Sequence, residues 1–354
     1  MPELAEPDIP GMDVWSVVQP GPVDQGPLQS GRRPIPLPAR SEIRVRVAAC
    51  GVCRTDLHIA AGDLPVHRPG VVPGHEIVGY VDMLGEDADR FAVGERVGIA
   101  WLRSTCGTCR FCSTGRENLC LTPRFTGWDD DGGYAEYAVV PEAYAYRLPV
   151  EFDDVSAAPL LCAGIIGYRA LERALVPDRG RLGIYGFGGS AHLAAQLAIH
   201  RGATVHVLTR SASARALALE LGCASAGHAS DSPPEPLDAA ILFAPAGDLV
   251  PVALRALDRG GTLAIAGIHL SPIPPIDYTS ELFNERQVRS VTANTRLDGE
   301  RFLREAADAG VRVHTVAYSF AAADQALLDL WNDAVDGAAV LVRSMPRGPA
   351  IKPN

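Results

Sequence analysis

Short apolar runs alternate with amphipathic segments from residue 181 onward, and this alternation limits the possible folds more than any other feature. Apolar runs typical of buried strands occur at 182–185, 204–209, 238–243 and 262–266, with helix-like segments at 190–200, 212–221 and 250–257. Strands separated by helices predict a parallel sheet with helices on both faces. We therefore expect a doubly wound α/β domain in this part of the chain.

The chain before residue 150 has a different, β-rich pattern. Ile43, Val45, Val47 and Ala49 alternate with less apolar side chains, as in a half-buried strand. Further strands are predicted at 14–18, 76–84, 133–140, 311–317 and 339–342, and helical segments at 153–176, 298–309 and 322–335. The sequence thus predicts a β-rich part in addition to the α/β domain.

Charge and lysine content exclude several classes of function. The 354-residue chain has 42 acidic and 32 basic side chains, a net charge of −10, which argues against binding to nucleic acid or an anionic membrane. The only lysine is Lys352. Schiff-base chemistry, a phosphate-loop lysine and a tyrosine–lysine dehydrogenase pair are therefore excluded.

The sequence contains neither an evident membrane span nor a targeting segment. No apolar stretch reaches the roughly 18 residues that cross a bilayer, and the acidic residues 1–8 lack the basic and apolar regions of a signal peptide. We expect a cytoplasmic location. In a reducing compartment, eight cysteines, four of them within fifteen residues, indicate metal binding before disulfides.

The four clustered cysteines form a specific metal-binding motif: Cys106, Cys109, Cys112 and Cys120. Two-residue gaps bring successive sulfur atoms together, and Gly107 and Gly115 permit the tight backbone of a tetrahedral zinc site. Four thiolates leave no open coordination position, so this zinc would be structural. An iron–sulfur site has the same ligands and is the main alternative, followed by free or disulfide-paired thiols.

Three scattered residues indicate a second metal site. Cys53 lies in GVCRTDLH (51–58), His75 in GHE (74–76) and Cys162 in LCAG (161–164). Two thiolates and one imidazole leave a fourth position open, as in catalytic zinc sites that handle alcohols. Because two thiolates neutralise the zinc charge, an anionic substrate oxygen is not repelled. Taken separately, each residue has a structural alternative, since a buried cysteine often only packs.

A glycine turn follows the predicted strand 182–185. Gly186 makes the sharp turn and Gly188 lets the backbone approach a pyrophosphate, while Gly189, Ser190 and Ala191 open the next helix. A helix N-terminus binds phosphate through its free N–H groups and its dipole. Because a strand precedes the turn and a helix follows it, the motif predicts a Rossmann-type dinucleotide site.

The next strand indicates which dinucleotide is bound. Residues 186–219 contain no acidic side chain, although NAD sites of this type usually have one about 20 residues after the first glycine. The strand ends instead in Thr209, Arg210 and Ser211, with Arg215 one helical turn later. Guanidinium groups bind phosphate in a bidentate manner, so NADP(H) is favoured over NAD(H). The alternative is that both arginines are ordinary solvated residues.

These motifs resemble the zinc-dependent medium-chain alcohol dehydrogenases, in the same order over about residues 40–270. The resemblance implies a fold of class α/β plus β: a GroES-like catalytic domain with two zinc sites, formed by 1–163 and 294–354, and a Rossmann domain formed by 164–293. It implies reversible hydride transfer between an alcohol or aldehyde and NADP(H). Two zinc ions per chain are expected, one catalytic and one structural.

The resemblance also implies roles for residues around Cys53. Thr55 matches the hydroxyl that touches the metal-bound alcohol, and His58 matches the end of a proton relay through the cofactor ribose. Arg54 would face the cofactor pyrophosphate, and Asp56 would orient the ligating histidine. Glu76 matches a glutamate behind the metal that approaches it when water or product exchanges.

Substrate and assembly are less well determined by the sequence. Trp101, Leu102 and Trp128 lie where similar enzymes place pocket walls, which favours a compact primary alcohol or aldehyde. Similar enzymes are dimers or tetramers, and residues 245–276 are the candidate surface. Cys50 and Cys223 have no assigned role and are expected to be small buried residues.

Three alternative functions remain open. The nearest is an NAD-dependent secondary-alcohol or polyol dehydrogenase, which a substrate panel with both cofactors distinguishes. A second is a non-catalytic zinc and nucleotide sensor, against which Thr55 and His58 argue. A third, a zinc-free quinone or enone reductase, has no use for Cys53, His75 and Cys162 and is disfavoured by their presence.

Overall fold

The computed structural model describes residues 11–343, in which the chain forms two compact units. The first unit comprises the chain up to Thr105, the segment Thr122–Leu161 and the chain from His314 onward; the second comprises Cys106–Leu121 and Cys162–Val313. Residues 1–8 and Lys352, which entered the sequence analysis, lie outside the described residues.

The first unit is built on a mixed sheet. In spatial order its strands are Thr315–Ser319, Ala338–Val342, Glu42–Val52, Glu76–Leu84, Arg96–Ile99 and Ala145–Arg147, and Tyr137–Pro141 also pairs with Glu42–Val52. Two smaller antiparallel pairs join Gly11–Val17 to Leu28–Pro34 and Leu102–Ser104 to Arg124–Phe125. The helices are Arg54–Ala61, Asp154–Ala157 and Ala323–Trp331, with 3₁₀ turns at Val23–Gln25, Glu142–Tyr144, Ala158–Leu161 and Phe320–Ala322.

The longest strand, Glu42–Val52, confirms the alternation seen in the sequence. Ile43, Val45, Val47 and Ala49 are buried, whereas the arginines between them are partly exposed. This strand lies in the middle of the sheet and ends directly before Cys53. A well-packed central strand therefore positions the first predicted metal ligand.

The second unit is a parallel sheet with the predicted doubly wound order. Its strands follow one another as Ser225–Gly227, Thr204–Leu208, Arg181–Tyr185, Leu237–Leu242, Leu257–Ile265 and Gln287–Ser290, and all pairs are parallel. The helices are Ala163–Ala174, Gly189–His200, Ala212–Glu220, Leu249–Ala256 and Arg296–Asp308, with a π-helical turn at Tyr278–Leu282 and 3₁₀ turns at Cys112–Thr114 and Glu117–Leu119. From Arg181–Tyr185 the chain first adds Thr204–Leu208 and Ser225–Gly227 on one side, and then crosses back to add Leu237–Leu242 on the other side. The strand order therefore reverses at Arg181–Tyr185, which is the switch point of the sheet.

No single helix among the described residues is long and apolar enough to cross a membrane. One bent pair, Asp154–Leu161 with Ala163–Ala174, reaches that length and hydropathy only as two joined pieces.

The compact units differ from the predicted domains in two places. Helix Arg296–Asp308 packs within the second unit, where Arg169 lies 3.1 Å from Asp298. The cysteine segment also lies in this unit, in which Glu117 forms a 2.7 Å ion pair with Arg296. Compact units follow contacts, whereas the predicted boundaries at 163 and 294 follow the family resemblance, so the domain assignment itself stays a prediction.

Phe302 is the residue through which helix Arg296–Asp308 is anchored. Its side chain is fully buried, and a Cβ at Gly164 would lie 2.3 Å from the Phe302 ring. We expect Phe302→Ala to lower the free energy of unfolding by about 3–5 kcal/mol, since a buried ring is replaced by a cavity. Urea unfolding followed by circular dichroism measures this. Leu37→Ala, at a side chain that is 74% exposed, is the control, and equal effects of both variants would contradict the packing argument.

Candidate functional site

The four clustered cysteines converge on one point. Their Sγ atoms lie within 4.8 Å of one another, and three of the separations are 3.6, 3.6 and 3.9 Å. A tetrahedron of sulfur atoms about 2.3 Å from zinc has edges of about 3.8 Å. The thiol set therefore has the dimensions of a closed four-thiolate metal site, and Gly107 and Gly115 both adopt the positive φ expected of tight turns.

The local backbone favours the thiolate form of these cysteines. The pKa of Cys106 is lowered to about 6 by the backbone N–H groups of Thr108 and Cys109, which donate to its sulfur. Backbone donors at Cys112 and Leu121 lower the pKa of Cys109 in the same way. Because metals bind thiolates, this lobe is prepared for an ion by its own backbone.

A second group contains Cys53, His75, Glu76 and Cys162, whose ligand atoms also lie within 4.8 Å of one another. Cys53 Sγ is 3.2 Å from His75 Nε2, so the imidazole turns this nitrogen toward the sulfur. Cys162 directly follows Leu161, the end of a buried 3₁₀ turn of the first unit. The three ligands expected from the sequence are thus brought together, with a carboxylate beside them.

Cys53 is held by the helix that it precedes. It is the N-cap of Arg54–Ala61, and its Sγ accepts a hydrogen bond from the Thr55 N–H at 3.3 Å. The positive end of the helix dipole and this donor both favour a thiolate. The motif that follows the central strand therefore fixes the position of the sulfur and favours its thiolate form.

Asp56 links the pieces of this site. Its fully buried carboxylate accepts the Cys53 N–H at 2.9 Å and the Gly74 N–H at 3.1 Å, and lies 3.3 Å from His75 Nδ1. Burial raises the pKa of Asp56, and the charge of Cys53 raises it further, while His75 lowers it. The carboxylate thus depends on its donors to stay charged, and it orients His75 as carboxylates orient metal-binding histidines.

The Glu76 side chain fits into the site because residue 51, which it faces, is a glycine without a side chain. It faces Gly51 on the neighbouring strand, where a Cβ would lie 1.7 Å from Glu76 Oε2. The side chain is 2% exposed. A buried carboxylate beside two thiolates is unfavourable without a cation, so the donor set fits a divalent metal ion.

The remaining residues of the motif lie on helix Arg54–Ala61. Thr55 is buried, and His58, three residues later on the same helix face, is partly exposed and 2.9 Å from Asp63. Arg54 forms an exposed ion pair with Asp333. Thr55 and His58 therefore run from beside Cys53 toward solvent, whereas Arg54 already has a carboxylate partner.

An aromatic stack adjoins the second metal group. The Trp101 ring meets the His75 ring edge-on at 5.0 Å, and Phe125 and Trp128 stack on Trp101 at 4.8 and 5.9 Å. Trp101 thus contacts a predicted ligand directly, and Trp128 is connected to that ligand only through Trp101. Leu102 is fully buried in the core, and its assignment to a pocket wall stays a prediction.

The two unassigned cysteines are both buried, Cys50 in the first unit and Cys223 in the second. Burial raises the pKa of Cys50 and that of Cys223, the latter to about 11. Both side chains therefore remain neutral thiols and pack as small residues, as expected from the sequence.

The glycine turn lies between strand Arg181–Tyr185 and helix Gly189–His200. Gly186 follows strand Arg181–Tyr185 with φ +85°, and a Cβ there would lie 2.8 Å from Ala244 N, so only glycine fits. Gly188 caps helix Gly189–His200, and a Cβ at Gly188 would meet nothing within 4 Å. The first turn of this helix, with Gly189, Ser190 and buried Ala191, thus has an open approach at its N-terminus.

The predicted phosphate ligands lie at the same edge of the sheet. Tyr185 pairs with Leu208, so Gly186 and Thr209 leave parallel strands side by side. Ser211 caps helix Ala212–Glu220. Arg215 donates from Nη1 to the carbonyls of Thr209 and Arg210, and Arg210 is exposed. Ser211 and Arg215 therefore shape this turn, a task that the sequence analysis did not assign to them.

The groups that support the aromatic stack are not marked by any pattern in the sequence. His67 stacks on Trp128 with ring centroids 3.9 Å apart, and its Nδ1 lies 2.9 Å from Asp129. The Trp128 Nε1–H donates to the Pro65 carbonyl at 2.8 Å. No sequence spacing marks these contacts, because residues 65–67 and 128–129 meet only through the fold.

Comparison with known proteins agrees with this architecture. A family model described as alcohol dehydrogenase GroES-like domain matches residues 39–150, and a zinc-binding dehydrogenase model matches residues 189–308. The Mycobacterium tuberculosis protein named "Probable alcohol dehydrogenase AdhA" is 58% identical over 336 residues, 94% of this chain and 97% of that protein.

Solved structures with this architecture include a cinnamyl alcohol dehydrogenase of Sorghum bicolor, with a TM-score of 0.84 and 26% identity over 96% of this chain and 100% of that one. A Sinorhizobium meliloti protein described as a zinc-binding dehydrogenase bound to NADP has a TM-score of 0.82 and 27% identity over 94% of this chain and 99% of that one.

The chain belongs to the zinc-dependent medium-chain alcohol dehydrogenase family. The predicted family and the predicted fold class are both confirmed. The protein is accordingly an oxidoreductase of the alcohol dehydrogenase class.

Asp56 gives this site a direct test. We expect Asp56→Asn to weaken zinc retention about 10–100-fold, the usual cost of losing a residue that orients a ligating histidine. Competition with a chromophoric chelator measures the affinity. Asp63→Asn, at an exposed carboxylate that pairs with His58, is the control. Unchanged zinc affinity in Asp56→Asn would contradict the orienting role.

Proposed function

We propose that the protein catalyses reversible hydride transfer between a primary alcohol or aldehyde and NADP(H), with zinc held by Cys53, His75 and Cys162. The convergence of these three ligand atoms and a Glu76 oxygen within 4.8 Å carries the proposal. Two sulfurs and one nitrogen leave a coordination position for the alcohol oxygen.

The residues of this group fit a catalytic zinc ion. When bound, zinc supplies Lewis-acid polarisation of the alcohol oxygen and the nicotinamide accepts the hydride. Cys53 and Cys162 provide negative charge that balances the metal, and Asp56 fixes the orientation of His75. Glu76 stands beside the ligands, ready to approach the metal position when water or product exchanges.

Thr55 and His58 provide the proposed path for the alcohol proton. The Thr55 N–H donates to Cys53 Sγ, which holds this residue beside the ligand position. Its hydroxyl can accept the proton, and His58 lies three residues later on the same helix face and contacts Asp63 near solvent. Thr55 and His58 would be the two protein groups of this path, and the ribose of a bound cofactor would supply the hydroxyl groups between them.

A second zinc ion is proposed for Cys106, Cys109, Cys112 and Cys120. Their sulfur separations of 3.6–3.9 Å suit a tetrahedral ion. Because all four positions are taken by protein sulfur, this ion would stabilise the lobe and take no part in the reaction.

The preference for NADP(H) is proposed from the turn after strand Thr204–Leu208. Exposed Arg210 offers a guanidinium group for the 2′-phosphate, and Arg215 holds the Thr209 and Arg210 carbonyls. Thr209 and Ser211 add short polar side chains. Arg54 is proposed to face the pyrophosphate, for which it would have to exchange its Asp333 partner.

A homo-oligomer is proposed on the basis of exposed apolar side chains in the second unit. In the predicted surface, residues 245–276, Ile268 is 61% and Ile273 is 43% exposed. Just beyond it in the sequence, Tyr278 is 63% and Phe283 is 53% exposed. Apolar patches of this kind mark protein interfaces. We further propose that the substrate is a small molecule and that the protein is located in the cytoplasm.

The metal role is tested by serine variants. We expect Cys53→Ser and Cys162→Ser to lose more than 99% of alcohol oxidation and about one zinc per chain, because a hydroxyl replaces a thiolate ligand. Turnover and metal content by plasma mass spectrometry are measured on the same samples. Cys223→Ser, at a buried thiol outside both groups, is the control. Full activity of Cys53→Ser would refute the proposal and favour a sensor.

The cofactor preference is tested at Arg210. We expect Arg210→Ala to raise the KM for NADPH about tenfold, since a charge-assisted phosphate contact is lost, and to leave the KM for NADH nearly unchanged. Arg259→Ala, at an exposed arginine of the same unit, should change neither value. Tighter binding of NADH than of NADPH by the wild type would favour the NAD-dependent alternative, and a panel of primary, secondary and polyol substrates would then identify the reaction.

A further inference from the structure

The loop between helix Arg54–Ala61 and strand Glu76–Leu84 contacts Trp128 at two points and the neighbouring Asp129 at a third. The Pro65 carbonyl accepts the indole N–H at 2.8 Å. The His67 ring covers one face of the indole at 3.9 Å, with only 15° between the ring planes. His67 Nδ1 contacts Asp129 Oδ1 at 2.9 Å, which fixes the imidazole in this stacked orientation.

Asp129 is itself fixed by the turn that carries Trp128. Its second oxygen accepts the Phe125 N–H at 2.8 Å, and its own N–H donates to the Phe125 carbonyl at 3.0 Å. The carboxylate is only 15% exposed. His67 therefore binds a rigid anchor, and the position of the indole is determined from both sides.

The clamped indole continues the row of rings that begins at the proposed metal centre. Trp101 touches the His75 ring at 5.0 Å, and Trp128 stacks on Trp101 at 5.9 Å. Trp128 is thus one ring further from His75 than Trp101. A small alcohol at the metal position would meet Trp101 first, and only a larger substituent would extend to Trp128.

Trp128 also forms part of the lining of an apolar cavity in the first unit. The lining also includes His67 itself and the apolar side chains of Ile59, Leu64, Val66 and Val71. Ile59 lies one helical turn beyond Thr55, on the same face of helix Arg54–Ala61. The cavity volume of about 110 Å³ exceeds the roughly 10–15 Å³ that one water needs by this measure, so it has room for several heavy atoms.

We propose that His67 is a positioning residue that fixes Trp128 as the outer wall of the substrate pocket, and so determines how well alcohols with larger nonpolar substituents bind. The inference rests on the proposed function of the metal centre. His67 does not touch the reacting atoms in this proposal. It acts by holding the indole against which an aromatic or long aliphatic substituent packs.

Two variants separate the contributions of His67. His67→Ala removes both the stacked ring and the contact with Asp129, whereas His67→Phe keeps a ring and removes only the contact. Ethanol and benzyl alcohol are compared as substrates, with zinc-loaded enzyme and saturating NADP⁺. His228→Ala, at an exposed histidine of the second unit, is the matched control.

We expect His67→Ala to raise the KM for benzyl alcohol about two- to tenfold, the range of one aromatic pair contact. The KM for ethanol and the kcat of both alcohols should change less than twofold. Near-ultraviolet circular dichroism of the substrate-free protein should lose intensity, since the stacked indoles gain freedom. His67→Phe should bring both the KM for benzyl alcohol and the dichroism intensity most of the way back to the wild-type values.

Three results with His67→Ala would overturn the proposal. Equal KM changes for both alcohols, or a fall in kcat with constant KM, would assign His67 a merely structural role. An unchanged dichroism spectrum in His67→Ala would show that the clamp does not hold the indole. Failure of the proposed function is recognised separately, because it appears as absence of turnover in the wild type, whereas the dichroism test needs no turnover.

Discussion

The site depends on one buried carboxylate that holds two distant chain segments together. Asp56 accepts N–H groups from Cys53, at the start of its own helix, and from Gly74, at the end of the following loop. The same carboxylate lies beside His75. A buried charge of this kind is stable only with its partners in place, so the fold and the orientation of the imidazole are coupled at one residue.

The other residues of the proposed sites lie at the ends of helices and strands. Cys53 follows the central strand and caps a helix, Cys162 follows a 3₁₀ turn and caps another, and Gly186 and Thr209 follow parallel strands. The first turn of a helix has backbone N–H groups without partners inside the helix. Those groups favour thiolates and phosphates, which are the species that the proposed metal and cofactor sites require.

The two metal groups differ in what surrounds them. Three of the four clustered cysteines are separated by two-residue gaps, and backbone N–H groups lower the pKa of Cys106 and Cys109. The second group draws Cys53, His75 and Cys162 from three separate segments of the chain and sets Glu76 beside them. The first is therefore suited to holding a lobe together, and the second to chemistry that needs an open position.

Much of the architecture could be predicted from local patterns. The apolar alternation at 43–49 and the strand, glycine turn and helix at Gly186 specify their own conformations, because period and backbone freedom are local properties. The extent of the second unit was not predictable in this way. Phe302 packing at Gly164 and the Glu117–Arg296 ion pair arise from contacts across long sequence distances.

The sequence by itself determined the family, the fold class and the groups able to bind metal, since ligand types at characteristic spacings carry that information directly. Only the tertiary structure decided that Ser211 and Arg215 brace the turn around Arg210, that Leu102 is enclosed in the core, and that His67 and Asp129 clamp Trp128. The contacts of Leu102, His67 and Asp129 join residues whose separation in the chain has no fixed relation to their distance in space, and those of Ser211 and Arg215 depend on how the backbone turns after strand Thr204–Leu208. They exist only once the strands and loops have packed.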